Sequence, residues 1–262
     1  FVRAIKEYAP VIALDDRGHG SEAATFTVYS LPLAAPMMSN IDSVRYLVFR
    51  PEIADFDKTK YERKVKRVLV TFGGSDPANL SNVMIRIAKL GDPKIDWTFV
   101  RGRFNQQRWS EGNYAEMKSG DDLFSEIEKA DLVVTSFGMT AYEAAAIGTP
   151  VILLNPTAYH ESLSEKAGLF SGLGMYQPPV RDGGDNTPAL SREFAARIAD
   201  AEQLMQQALR AKEAVDKGGA ERMVALIEDF ISGGRSDACV VCGRRRERAL
   251  VRDTERNIFH CE

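Results

Sequence analysis

Two glycine-containing segments combine residue types that suit the binding of a phosphorylated ligand. The first is residues 73–79 (GGSDPAN), and the second joins Gly138 and Thr140 to Glu143. Glycines let the backbone approach a ligand closely, and free amides at the start of a helix attract phosphate. A carboxylate one turn into a helix can accept hydrogen bonds from both hydroxyls of a ribose. Together these residue types would suit a nucleoside diphosphate.

Each segment also has a purely structural interpretation. Residues 73–79 fit a tight turn between a strand and a helix, with Asn79 as the helix N-cap. Thr140 and Glu143 have the spacing of a capping box, in which each side chain binds an orphan amide of the first turn. Capping and ligand binding are compatible, because the side chain can serve one role while the backbone amides serve the other. The residues alone leave both interpretations open.

The elements predicted around these segments form a parallel α/β sheet. Near-continuous apolar runs predict buried strands, which alternate with helical patterns, at residues 67–72, 96–100, 131–136 and 150–155. This alternation indicates a parallel sheet with helices on both faces. Ligands of such sheets bind beyond the carboxyl ends of the strands, and both glycine segments follow a predicted strand directly.

Three regions are predicted along the chain. Residues 1–60 contain one clear strand, at 11–16, and two shorter extended pieces, at 26–32 and 46–52. This is too little for an independent Rossmann-like domain, so we expect the C-terminal part of an incomplete one. Residues 61–232 predict a second Rossmann-like domain, and residues 233–262 a linker and a partial zinc-ribbon-like tail. Because the chain starts at Phe1 without a methionine, we expect a piece of a longer protein.

The composition argues against several classes of partner. The chain has 262 residues, 44% of them hydrophobic and 27% charged, which is typical of a globular protein. A net charge of −3 gives no indication of a nucleic-acid partner. No apolar run approaches the roughly 20 residues of a membrane span, and no signal peptide is visible. We therefore expect a cytoplasmic protein without a membrane or nucleic-acid partner.

The three cysteines are confined to the end of the chain. Cys239 and Cys242 form a Cys-x-x-Cys pair of the kind that binds zinc, and Cys261 follows. A structural zinc is predicted, with its fourth ligand beyond Glu262; three incidental thiols are the alternative. The tail resembles the small zinc-binding segment that precedes some sugar methyltransferase domains, which implies a fused or associated methyltransferase-like domain that modifies sugars.

Specific resemblance appears in "VLVTFGGSDPANLS" (68–81) and "ADLVVTSFGMTAYEAAAIGTPVI" (130–152). Both look like nucleotide-sugar hydrolases of the pseudaminic acid pathway, which act on a UDP-activated diacetamido-trideoxy-altropyranose and are related to spore-coat polysaccharide proteins. The resemblance extends to "VIALDDRGHG", "YLVFRPEI" and "VDKGGAERM", and so covers about residues 10–230. This family is similar in turn to GT-B glycosyltransferases, such as the lipid-linked N-acetylglucosaminyl transferase of peptidoglycan synthesis.

The resemblance implies a GT-B-like architecture with a nucleotide-sugar in a cleft between two Rossmann-like domains. It also implies the contacts of individual residues. Gly73, Gly74 and Ser75, with Asp76 in the same loop, would lie near the sugar diphosphate. Gly138, Met139 and Thr140 would contact the diphosphate, and Glu143 the ribose. His160 or Glu161 would replace an Asn-Gln or Asp-Gln pair that faces the donor sugar in the family.

The function implied first is a UDP-sugar hydrolase. It would release UDP from an activated deoxy amino sugar in surface-polysaccharide or nonulosonic acid biosynthesis, without a required cofactor. The family's catalytic histidine loop is absent from this chain, and His19 lies on a different, later loop. No catalytic residue is therefore assigned. Two alternatives are a GT-B glycosyltransferase with a UDP-sugar donor and a non-catalytic nucleotide-sugar-binding module fused to another domain.

Overall fold

The computed structural model describes residues 1–33, 40–58, 64–118, 122–175 and 186–231, and the backbone of 251–253 and 258–260. The chain divides into two compact units. The first comprises Phe1–Arg50 and Asp216–Glu262, and the second comprises Pro51–Val215. The predicted domain boundaries at residues 60 and 232 do not coincide with these divisions, since the last described helix groups with the start of the chain.

The first unit begins with a small parallel sheet. Its elements up to Arg50 are α1 (Val2–Lys6), β1 (Ile12–Leu14), α2 (Gly20–Ala23), β2 (Phe26–Tyr29) and β3 (Ile41–Asp42). The strand order is β1-β2-β3, and both pairings are parallel. All four residues of the central strand β2 are buried, as expected for a parallel sheet covered on both faces.

The second unit contains a six-stranded, all-parallel sheet. Its strands are β4 (Arg67–Thr71), β5 (Asp96–Arg101), β6 (Ala115–Lys118), β7 (Leu132–Thr135), β8 (Val151–Asn155) and β9 (Ser171–Met175). They lie in the order β6-β5-β4-β7-β8-β9. Counted from β4, this is the 3-2-1-4-5-6 order of the Rossmann fold. The direction of winding reverses between β4 and β7, which therefore flank the topological switch point.

Helices connect these strands and cover the sheet. They are α3 (Pro51–Asp55), α4 (Leu80–Leu90), α5 (Leu123–Lys129), α6 (Met139–Ile147), α7 (Ala158–Ala167), α8 (Thr187–Ala199) and α9 (Ala201–Ala214). Every residue of β7 and β8 is buried, and α6 buries most of its circumference because alanines let it lie close to its neighbours. The central strands and α6 thus form a rigid base for the loops at the carboxyl edge.

The chain then returns to the first unit through α10 (Gly219–Ile231), which precedes the antiparallel strands β10 (Val251–Asp253) and β11 (Ile258–His260). Met223 and Leu226 of α10 pack in one cluster with residues of β2 and β3. The helix begins at a glycine because a Cβ at Gly219 would lie 1.8 Å from the carbonyl oxygen of Leu47. This close backbone approach explains why α10 belongs with the first fifty residues.

The four strands predicted in the second unit are confirmed, and the predicted parallel α/β fold with them. No strand forms at the extended piece predicted at 46–52. Tyr46 ends a 3-10 turn (Val44–Tyr46), Leu47 has an extended backbone, and α3 begins at Pro51, which fits the first turn of a helix. Strands β6 and β9 escaped prediction because both are edge strands, the first largely exposed and the second interrupted by two glycines.

Candidate functional site

The candidate site lies at the carboxyl edge of the second sheet. Three loops leave this edge next to the switch point, one after β4, one after β7 and one after β8. Because the strands are parallel and adjacent, these loops are neighbours. Every site residue that the sequence predicted outside the cysteine tail lies in one of these loops or in the first two turns of the helix that follows it. In open sheets of this order, ligands bind in the crevice that forms here.

The loop after β4 is held in place by backbone contacts. Gly73 has a φ of 72°, which favours glycine, and a Cβ there would meet none of the described residues within 4 Å. Behind it, the loop after β5 approaches so closely that a Cβ at Gly102 would lie 2.2 Å from the carbonyl oxygen of Gly73. Phe104 donates its amide to the carbonyl of Gly74 at 2.8 Å and leaves its ring 69% exposed. The Phe104 ring, which the sequence did not single out, lies beside Gly74, where an added Cβ would be 3.5 Å from its Cδ2.

The side chain of Asp76 caps the N-terminus of α4. The carboxylate accepts hydrogen bonds from the amides of Leu80 at 2.8 Å and Ser81 at 2.9 Å, and the residue is buried. Asn79 stands at the N-cap position, but its side chain makes no capping hydrogen bond and instead accepts from Asn82. Burial raises the pKa of Asp76, against these hydrogen bonds, which lower it. The structural interpretation of this loop therefore holds for the aspartate and fails for Asn79.

The loop after β7 leads directly into α6. The helix has Gly138 at its N-cap and begins at Met139, so the N-cap residue has no side chain that could cap the first turn. The φ of Gly138 is 162°, an extended conformation open to any residue, and a Cβ there would meet none of the described residues within 4 Å. Neither backbone strain nor crowding in the described chain thus requires a glycine at this N-cap.

The predicted capping box is wrong, because its N-cap is misplaced. Thr140 and Glu143 both lie inside α6, whereas a capping box needs the threonine at the N-cap. Both side chains are half-buried, and Met139 is 38% exposed at the start of the helix. The structure brings Gly138, Met139 and Thr140 together at the helix N-terminus, with Glu143 one turn further on.

The loop after β8 is joined to the loop after β7 through Asn155. This last residue of β8 is fully buried, and its Oδ1 accepts a hydrogen bond from the amide of Phe137 at 2.9 Å. Its Nδ2 donates to Oε2 of Glu161 at 2.7 Å. Neither Asn155 nor Phe137 was predicted from the sequence. The available signal was the asparagine that ends the apolar run of residues 150–155, since a buried polar side chain needs partners.

The predicted site residue His160 and the loop residue His19 have different surroundings. His160 lies in the first turn of α7, where its Nδ1 is 2.7 Å from Oγ1 of the N-cap residue Thr157. His19 belongs to the first unit and stands at the N-cap of the short α2. Its ring is fully exposed and lies 3.5 Å from Glu22. Thus His160 lies at the candidate site with a defined hydrogen-bond partner, and His19 is a surface-loop residue.

The predicted zinc site cannot be placed, since Cys239, Cys242 and Cys261 lie outside the described residues. Within the described ranges, no group of three potential metal-ligating side chains comes together. The zinc therefore stays a prediction. Across the same ranges, none of the helices combines the length and hydropathy needed to cross a bilayer.

Sequence similarity to other proteins covers less than half of the chain. An uncharacterized protein of Methanocaldococcus jannaschii is 31% identical over 124 residues, which are 42% of this chain. An NDP-glycosyltransferase of Bacillus subtilis is 32% identical over 106 residues, or 40% of this chain. Each alignment spans 26% of the relative's own length. No protein-family model matches the chain.

Solved structures match a much larger part. MurG of Acinetobacter baumannii superimposes with a TM-score of 0.59 at 14% identity, covering 86% of this chain and 68% of MurG. The spinosyn rhamnosyltransferase SpnG, in complex with thymidine diphosphate, gives a TM-score of 0.55 at 14% identity and covers 87% and 69%. A putative UDP-N-acetylglucosamine 2-epimerase of Listeria monocytogenes gives 0.55 at 14% identity, covering 82% and 62%. The chain has the fold of GT-B glycosyltransferases.

The GT-B fold confirms the predicted architecture of parallel-sheet α/β units. The expected pseudaminic acid hydrolase finds no support in these similarities, which favour the glycosyltransferase alternative. Since the identities to solved structures are near 14%, the likeness concerns the fold. The function has to be argued from the site itself.

Proposed function

We propose that this protein binds a nucleoside-diphosphate sugar at the carboxyl edge of its second sheet and serves in glycosyl transfer. The observation that carries the proposal is Gly138: α6 begins there, at the switch point, from an N-cap residue without a side chain, and a Cβ at this position would meet none of the described residues within 4 Å. Free amides and the positive end of the helix dipole attract a diphosphate. The absence of a Cβ lets that group approach the backbone closely.

Other residues of the same edge support this assignment. The exposed Gly73–Gly74 loop faces the switch point from β4, and Glu143 lies one turn into α6, where a carboxylate can accept hydrogen bonds from a ribose diol. The sequence resemblance implies uridine as the nucleoside. SpnG, which shares the fold, holds thymidine diphosphate. We therefore propose that this edge binds the nucleoside-diphosphate part of the sugar donor.

The test is calorimetric titration of the full chain with UDP, supported by a pair of glycine variants. Gly138→Ala suits the extended backbone and meets no described neighbour, so the fold should tolerate it while the methyl group obstructs the ligand. We expect roughly tenfold weaker UDP binding at an unchanged melting temperature. The control is Gly91→Ala at the end of α4, where the added Cβ would lie 3.4 Å from the carbonyl oxygen of Ile87. It should alter neither quantity, and equal UDP affinity in both variants would overturn the proposal.

Glu143→Ala tests the ribose contact separately. A carboxylate that binds both ribose hydroxyls contributes more to UDP than to dTDP, which lacks the 2′-hydroxyl. We expect the variant to weaken UDP binding by about tenfold and dTDP binding by much less. Equal losses for both nucleotides would remove Glu143 from the ribose site.

The same preparation distinguishes transfer from hydrolysis. Glycosyl transfer needs an acceptor hydroxyl where hydrolysis uses water, and both reactions release the same nucleotide. We expect the chain to bind UDP-sugars and to release little UDP from them in buffer without an acceptor. Rapid release of UDP in water alone would favour the hydrolase instead.

A further inference from the structure

We propose that Glu161 is a positioning residue for the diphosphate site: through Asn155 it fixes the amide of Phe137, and with it the turn from which α6 begins. The inference rests on the proposed function, because it concerns the same site. It gives Glu161 a role different from the contact with the donor sugar that the sequence resemblance implies.

Two hydrogen bonds in series carry this inference. Asn155 donates from Nδ2 to Oε2 of Glu161 at 2.7 Å and accepts at Oδ1 from the amide of Phe137 at 2.9 Å. The asparagine is fully buried at the end of β8, and β8 lies next to β7 in the sheet. A side chain of α7 is thereby connected to the backbone of the loop after β7.

The chemistry of the two end groups fixes the orientation of the asparagine amide. The backbone N–H of Phe137 can only donate, and an ionised carboxylate such as Glu161 can only accept. Asn155 must therefore present its oxygen to the first and its nitrogen to the second. Glu161 thus selects the rotamer in which Oδ1 of Asn155 faces the loop, and without that carboxylate the amide loses the partner that orients it.

Phe137 transmits this constraint to the candidate phosphate seat. It directly precedes Gly138, the N-cap of α6, and the Gly138 carbonyl accepts from the amide of Ala141 at 3.1 Å. The buried Phe137 ring packs edge-on against Tyr142 of the same helix, with ring centroids 5.8 Å apart. Since the ring and the amide of Phe137 are both held, a shift of Asn155 would move the peptide that presents the first amides of α6.

Ligand affinity separates positioning from a sugar contact. UDP contains no sugar beyond its ribose, so a Glu161 that only touched the donor sugar would leave UDP binding unchanged. A Glu161 that orients the diphosphate seat affects UDP directly. A purely structural role would lower the melting temperature of Glu161→Ala and leave the UDP affinity of the folded chain unchanged.

The experiment is a double-mutant cycle on the full chain, read by UDP titration. Glu161→Ala removes the acceptor, and Asn155→Asp places two carboxylates against each other; each should weaken UDP binding about tenfold. Glu161→Gln keeps an oxygen that can accept and should stay within about threefold of the unaltered chain. The combined variant N155D/E161Q reverses the polarity of the second hydrogen bond, because a glutamine amide can donate to the aspartate while the aspartate still accepts from Phe137. It should also return to within about threefold.

Each result has a defined meaning. Weak binding by Glu161→Ala together with recovery in N155D/E161Q supports the inference. Unchanged UDP affinity in Glu161→Ala, in a chain that otherwise binds UDP, overturns it and leaves the proposed function intact. Persistent loss in the double variant also overturns it. Failure of the unaltered chain to bind UDP overturns the proposed function and this inference with it. Hydrogen exchange of the Phe137 amide, faster in Glu161→Ala than in Glu161→Gln, reports the same constraint without ligand.

Discussion

Asp76 illustrates how one residue type can serve two interpretations of the same loop. The sequence resemblance placed it in the ligand loop, and the structure shows its carboxylate bonded to the first amides of α4. Those amides are the orphan donors that a helix needs to satisfy, so the aspartate replaces the phosphate that such a terminus could hold. The helix after β7 has a glycine at its N-cap, which has no side chain to replace a phosphate in this way, and it is therefore the phosphate site that we propose.

The pH dependence of stability tests the environment of Asp76. Because burial raises the pKa of this carboxyl, the folded chain retains its proton to higher pH than the unfolded chain does. Its contribution is therefore complete below the ordinary carboxyl pKa of about 4 and declines as the pH rises through the raised value. In urea unfolding, the stability of the unaltered chain relative to Asp76→Asn should fall over this window. A difference that grew with pH would contradict the assignment.

Some residues of the site could be predicted from the sequence and others could not. Gly138, Thr140 and Glu143 were accessible because they follow one strand in a short span, so local spacing carries the information. The connection of Asn155 and Glu161 to Phe137 is invisible in the sequence, since 18 residues separate Asn155 from Phe137 and only the pairing of β7 with β8 brings them together. Asn79 was mistaken for the cap because Asp76, three residues earlier, reaches the same amides.

At the scale of elements, buried strands were predictable and edge elements were not. Strands β4, β7 and β8 are near-continuous apolar runs because helices cover both faces of the sheet. Strand β6 carries mostly exposed residues and β9 contains two glycines. Neither strand therefore shows the apolar run by which the buried strands were predicted. Two adjacent glycines, at residues 218–219, lie after the end of α9, and α10 begins at the second of them.

The start of α10 offers a second test by pH, with the opposite sign. Asp216 accepts hydrogen bonds from Arg222 at 2.8 Å, from the amide of Gly218 at 3.0 Å and from Arg45 at 3.1 Å. Burial alone would raise the pKa of Asp216, and these hydrogen bonds outweigh it and lower the pKa. The cluster therefore stabilises the first unit above the ordinary carboxyl pKa of about 4, and this contribution disappears as the pH falls through the lowered value.

We expect Asp216→Asn to destabilise the chain at neutral pH by about 1 kcal/mol or less, because the partly exposed ion pairs are screened by solvent. The stability difference from the unaltered chain should shrink when urea unfolding is repeated in acid below the ordinary carboxyl pKa. A difference that remained constant across this range would show that the arginines do not stabilise the ionised carboxylate.

At the scale of the whole molecule, the two units differ in their roles. All the candidate residues for binding the nucleotide-sugar belong to Pro51–Val215, while the first unit depends on a return of the chain at α10. That return requires a glycine, because a Cβ at Gly219 would fall 1.8 Å from the oxygen and 2.7 Å from the carbon of the Leu47 carbonyl. Backbone atoms cannot rotate away as a side chain can, so the contact permits no substitution without a shift of the helix.

Gly219→Ala should therefore destabilise the first unit by roughly 2 kcal/mol or more, and leave the UDP affinity of the folded chain within about twofold of its original value. The control is again Gly91→Ala, where the added Cβ would lie 3.4 Å from the carbonyl oxygen of Ile87; its melting temperature should change little. Calorimetric scans would show the shift of the melting temperature to a lower value. UDP titration well below that melting temperature would measure the affinity of the folded chain. If Gly219→Ala abolished UDP binding while the second unit remained folded, the site would need the first unit in its native form, and assigning ligand binding to Pro51–Val215 alone would be wrong.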